Sequence, residues 1–157
     1  MPNANSIPRS ALLSGLAGLI PFWGAPALAL MHAMSDVSIA TEAAMYTIYG
    51  AIILGFLGGV RWGVAMQAQT TPPGRMLILA VLPSVLGFGA VFVHWSMGEI
   101  WGWALIILGL LAQLAWDRAA VSSAVLPAWY GRLRILLTGG ASLAGLALIA
   151  IYLAAIA

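Results

Sequence analysis

Five stretches of 21 to 24 mostly apolar residues, about 11–34, 43–66, 75–95, 100–121 and 133–156, fill the chain, with only short polar breaks between them. About 20 such residues, rising 1.5 Å each as an α-helix, cross the hydrocarbon of a bilayer. A backbone in hydrocarbon must satisfy its own hydrogen bonds, which leaves helices or a closed barrel. Barrel strands alternate polar and apolar residues over about ten positions, and no segment here does so. The expected fold is an all-α integral membrane protein, a compact five-helix bundle forming one transmembrane domain over residues 1–157.

Composition closes the other routes. Of 157 residues 63% are hydrophobic and 6% charged, against about a quarter charged in a soluble domain. Ten charges cannot solubilise a globule of this size, which excludes a water-soluble enzyme and a disordered tail. The six basic residues are all arginines, scattered rather than gathered into a stripe, so no nucleic-acid partner is expected. The lack of cysteine removes disulfides, thiolate ligands and a cysteine nucleophile. Arg9, the apolar run after it and Ala27-Leu28-Ala29 imitate a signal peptide. That run is longer than a usual signal core, and we read it as the first membrane helix.

Charge sets the expected orientation. Arg9, Arg75, Arg118, Arg132 and Arg134 fall in the N-terminal tail, the second break or the fourth, or at their borders, while Asp36, Glu42 and Glu99 fall in the first and third. Cytoplasmic segments carry the arginines, so the N-terminus is expected in the cytoplasm and the C-terminus outside.

Small and polar residues in the spans are the candidate contacts. Ala51, Gly55, Gly59 and Gly63 repeat every fourth residue, a smooth stripe suited to packing within the bundle or to a homodimer or partner membrane protein. Arg61 is an intramembrane charge, for which Asp117, with Gln113 one turn away, is the natural partner. The alternative is a clamp of Arg61, Arg118 and Arg132 on a ligand carboxylate or lipid headgroup. Pro21, Pro26 and Pro83 should kink and interrupt helices 1 and 3. Broken helices point to binding sites in transporters; an apolar or amphipathic small molecule would sit near Pro21, Trp23, Pro83, Arg61 and Trp62. His32, Asp36 and His94, with Glu42 and Glu99 at the same level, are the ingredients of a metal site, although their spacing is no metal signature. No nucleophile elbow, phosphate loop or zinc-protease motif occurs, so neither enzymatic activity nor a cofactor is expected.

Several runs are informative together: Gly18-Leu19-Ile20-Pro21-Phe22, Tyr49-Gly50-Ala51, the segment Phe56-Leu57-Gly58-Gly59-Val60-Arg61-Trp62-Gly63, Asp117, Pro127-Ala128-Trp129-Tyr130 and Leu133-Arg134-Ile135-Leu136-Leu137-Thr138. Over nearly the whole chain they resemble the transmembrane protein 69-like family, small multi-span proteins built around a domain of unknown function. The resemblance implies a bacterial inner-membrane or mitochondrial setting, here the bacterial inner membrane, and lends no activity. The expectation is a non-enzymatic assembly or accessory factor acting through helix–helix contacts. The alternative is a carrier or sensor of an amphipathic small molecule.

Overall fold

The computed structural model describes residues 6–35, 40–67 and 74–155. They form α1 (Arg9–Ala33), α2 (Ala40–Met66), α3 (Gly74–Met97), α4 (Glu99–Ser122) and α5 (Ala128–Ala155), with no strand among the described residues. Helices of 24 to 28 residues extend about 36–42 Å, beyond the roughly 30 Å of bilayer hydrocarbon. All five are long and apolar enough to cross a membrane, and the all-α five-helix bundle stands.

Two local expectations change. α5 begins at Ala128 rather than near 133. Pro127 precedes its first turn, where a missing N–H is tolerated, and the Tyr130 N–H donates to the Pro127 carbonyl at 3.0 Å. Arg132 and Arg134 lower the hydropathy there without breaking the helix. α1 and α3 run unbroken through Pro21, Pro26 and Pro83, so the expected interruptions do not occur. Each proline deletes one donor, but the neighbouring turns have no water to exchange their own bonds for.

Each helix packs on the next, α5 returns to α1, and α2 meets α4 across the middle. The most extensive contact joins α2 and α3, where small residues bring the backbones together. A Cβ on Gly87 would stand 2.9 Å from Ala51 Cα, and one on Gly58 would strike the Ala80 carbonyl. Ala51 and Gly55 therefore serve packing inside the bundle, Gly55 facing Ser84. Gly59 and Gly63 do not, since a Cβ on either would meet nothing within 4 Å. Residues four apart are 400° apart on a helix of 3.6 residues per turn, so the stripe turns about 40° per step and leaves α3. Gly58 takes the contact expected of Gly59.

Phe22, Tyr46, Leu54, Trp103, Ile106, Leu110 and Leu148 form the buried centre. Its aromatic hydroxyls and indole find backbone carbonyls: Tyr46 donates to Ala141, Tyr49 to Gly18 and Trp103 to Ala43, each at 3.0 Å. These bonds tie α2 to α5, α1 and α4. Ile20, Ile78, Phe88 and Phe92 point outward, a surface that costs about 25 cal/mol per Å² in water and nothing in lipid.

The turn between α4 and α5 positions the site. Ala124 takes a left-handed backbone, φ 57°, and the Val125 N–H donates back to Ala120 at 2.9 Å. α4 and α5 thus leave a tight turn as antiparallel neighbours. Residues equally far from it along the two helices come to the same depth.

Candidate functional site

Asp117 on α4 is fully buried. Its Oδ2 accepts from Arg134 Nε of α5 at 2.9 Å. Its Oδ1 accepts from Gln113 Nε2 at 3.4 Å, and Tyr130 lies beside the same carboxylate. A carboxylate at this depth persists only when paired and hydrogen-bonded.

The partner differs from the expected one. Arg61 does not pair with Asp117; its guanidinium carbon stands 4.3 Å from the centroid of the Trp116 ring, a cation–π contact. It remains close enough for its charge to act on Asp117. Arg134 wins because it comes from the hairpin neighbour at matching depth: Asp117 is five residues before the end of α4 and Arg134 six after the start of α5. That arithmetic was available in the sequence, but Arg134 reads there as a loop-border charge.

Arg134 spends only Nε on this pair. Its Nη2 is buried without a hydrogen-bond partner among the described residues, as is Thr138 Oγ1 one turn on. Both side chains line a cavity of about 140 Å³ walled also by Ser14, Phe22, Leu57 and Leu110. A second cavity of about 280 Å³ shares Ser14, Phe56, Leu57, Arg134 and Leu137 with it and reaches Trp129 and Tyr130. Phe56 is 65% exposed, so this wall meets the lipid-facing surface. A buried donor left unpaired costs about 1–3 kcal/mol. Two of them on an apolar wall can orient one hydrogen-bond-accepting group whose remainder is hydrocarbon.

The other pocket candidates lie elsewhere. Pro21, Trp23, Pro83 and Arg61 do not line this cavity. Trp23 is 45% exposed, because the 100° step that turns Phe22 inward turns its neighbour out. Pro83 packs against Gly58, and Trp62 faces outward. Leu137 and Thr138 stand in the run 133–138 that carries the family resemblance, but nothing in it points to a cavity, and Ser14 reads as an ordinary small residue of a membrane helix.

At the opposite end of the bundle His32 Nδ1 lies 3.0 Å from Oε1 of the buried Glu42. His94 Nδ1 lies 3.0 Å from the Thr47 hydroxyl, and α4 presses Gly102 against His94. The two imidazoles have separate partners. Among the described residues no three His, Asp or Glu side chains could hold a metal ion; Asp36 lies outside the described residues. The Tyr152 hydroxyl donates to Glu99 Oε2 at 3.2 Å.

Residues 7–152 match the family described as protein of unknown function (DUF3429). The chain belongs to this family. Transmembrane protein 69 of Xenopus tropicalis is 36% identical over 133 residues, which cover 83% of this chain and 50% of the relative. Transmembrane protein 69 of Mus musculus is 30% identical over 133 residues, 83% of this chain and 51% of the relative. The chain thus spans about half the length of the relatives it matches. No solved structure matches it. This DUF3429 chain is a multi-pass membrane protein of the transmembrane protein 69-like family, as the motif resemblance implied.

Proposed function

We propose that this chain is a non-catalytic carrier or sensor that takes an amphipathic small molecule into the cavity beside Arg134. In this reading the arginine-bearing end faces the cytoplasm across a bacterial inner membrane, in keeping with the segregation of its charges. One observation carries it: Arg134 Nη2 and Thr138 Oγ1, both buried and unsatisfied, stand on the wall of one apolar cavity. An occupant whose head accepts their hydrogen bonds and whose tail runs along Phe22, Leu57 and Leu137 satisfies both groups. Arg61 and Arg134 exceed the single Asp117 carboxylate by one charge, which favours a weakly acidic head. Asp117 is bound on both oxygens and is not poised as a general base.

The test uses the full chain in nanodiscs equilibrated with a spin-labelled long-chain fatty acid. Wild-type protein should hold the probe. Thr138→Val should weaken retention about five- to tenfold, the worth of one hydrogen bond, and Ser14→Phe should abolish it by filling the space. Retention no greater than in empty nanodiscs would sink the proposal.

A second reading is an assembly or accessory role through helix–helix contact with another membrane protein or a second copy. Gly59 and Gly63 support it, being small, unpacked and on one face. Photocrosslinkers at these positions should then capture a stoichiometric partner in native membranes. A chain that stays uncrosslinked counts against this role.

A further inference from the structure

One face of the α4–α5 hairpin carries charge that the ion pair does not use. Arg132 is two residues from Arg134, about 200° around α5, so it points away from the cavity. With Arg118 of α4 it lines a concavity of about 230 Å³ on the outer side of the hairpin, floored by Gly131 and flanked by Val121, Ser122 and Ile135. Both arginines are exposed, and neither has an ion-pair partner among the described residues. Each lies four residues inside its helix end, about 6 Å along the axis, the depth at which headgroups meet hydrocarbon.

The surroundings leave this charge uncompensated. All six arginines of the chain sit at this end of the bundle, and Asp117 is the one carboxylate there among the described residues. That carboxylate is taken by Arg134. The concavity exists because Gly131 has no side chain; a Cβ there would come within 3.3 Å of Val121. Ile135, three residues further into α5 than Arg132, presents a branched apolar side chain at the depth of acyl chains, while Val121 walls the concavity nearer the end of α4. Two guanidiniums over an apolar cleft match a phosphodiester carried on hydrocarbon, since the planar fork binds phosphate oxygens two at a time.

We infer that Arg118 and Arg132 form a binding site for the phosphate of an anionic phospholipid, independent of the cavity beside Arg134. The net positive end disfavours headgroups with their own ammonium and so selects a lipid such as phosphatidylglycerol over phosphatidylcholine. Basic pockets between membrane helices hold anionic headgroups in this manner.

Lipid retention on the full chain tests the site. The protein is reconstituted into phosphatidylcholine bilayers doped with phosphatidylglycerol, extracted in mild detergent and weighed by native mass spectrometry. Wild-type protein should keep phosphatidylglycerol in preference to phosphatidylcholine. Each arginine near the surface is worth about fivefold in binding, so R118Q or R132Q should lower retention about fivefold and the double variant roughly 25-fold. R118K and R132K keep the charge but lose the bidentate fork; they guard against misfolding as the explanation and should retain more lipid than R118Q and R132Q but less than the wild type. R75Q removes an exposed arginine of the same end that does not line the concavity; an equal loss in R75Q would reduce the effect to general attraction and overturn the site. Displacement of the lipid by inorganic phosphate at equal concentration would overturn the lipid as ligand. T138V should leave phosphatidylglycerol retention unchanged, which separates failure here from failure of the cavity proposal.

Discussion

At the arginine-bearing end, a fully buried carboxylate is held on both oxygens by Arg134 and Gln113. At the other end, buried Glu42 keeps Oε2 without a hydrogen-bond partner among the described residues, and its Oε1 faces His32, whose side chain is 39% exposed. The first arrangement is cut off from solvent and must balance itself within the bundle. The second keeps one member at the membrane surface, where water and headgroups share the work. Burial without compensation is tolerated least where screening is weakest. It follows that unsatisfied atoms deep in the first cluster, on Arg134 and Thr138, call for an occupant more strongly than those near the surface.

The sharpest break of that comparison is to remove one partner of the deep pair. Asp117→Asn or Arg134→Met should each cost about 3–5 kcal/mol, the usual result of orphaning a buried charge, read as the shift in a denaturant unfolding curve in detergent. The double variant Asp117→Leu/Arg134→Met should regain most of the loss. Equal damage from Glu42→Gln would erase the distinction between the two ends.

Next in size is the contact that fixes the frame around the pair. Gly58→Ala forces a methyl into the Ala80 carbonyl and should cost about 1–3 kcal/mol. Gly59→Ala, one residue on, should stay within about 0.5 kcal/mol. Thermal melts of the two variants side by side decide it.

A smaller effect of opposite sign is expected at the cavity. Thr138→Val deletes a hydroxyl that has no partner and should raise the stability of the empty protein by about 1 kcal/mol while weakening retention of the fatty-acid probe. A loss of stability would mean that the hydroxyl is already satisfied. The smallest shift belongs to the exposed end, where Glu42→Gln should change stability by less than about 1 kcal/mol because His32 is partly solvated.

The parts of this site that follow from one helix at a time are legible in the sequence. Asp117 and Gln113 are one turn apart on α4 and stay together in space. Arg61 was placed at the right end and near the right carboxylate, yet the pairing went to Arg134. Choosing between two arginines of similar depth requires knowing which helix stands beside α4. Pro21, Pro26 and Pro83 drew notice as helix breakers and Trp23 as a pocket residue beside them, whereas the cavity formed where α1, α2 and α5 leave space beside Phe22 and Leu57. Packing creates such space, and no single residue announces it.

The sequence by itself determined five apolar helices and the sorting of arginines to one end, because both follow from the cost of placing polar backbone and charge in hydrocarbon. It determined the close approach of α2 and α3 only in outline, since a four-residue repeat drifts around a helix with a period of 3.6. Tertiary structure decided which arginine neutralises Asp117, which glycines touch a neighbour and where two donors were left unsatisfied. Those outcomes depend on distances between helices, and such distances are fixed by the side chains of all five at once.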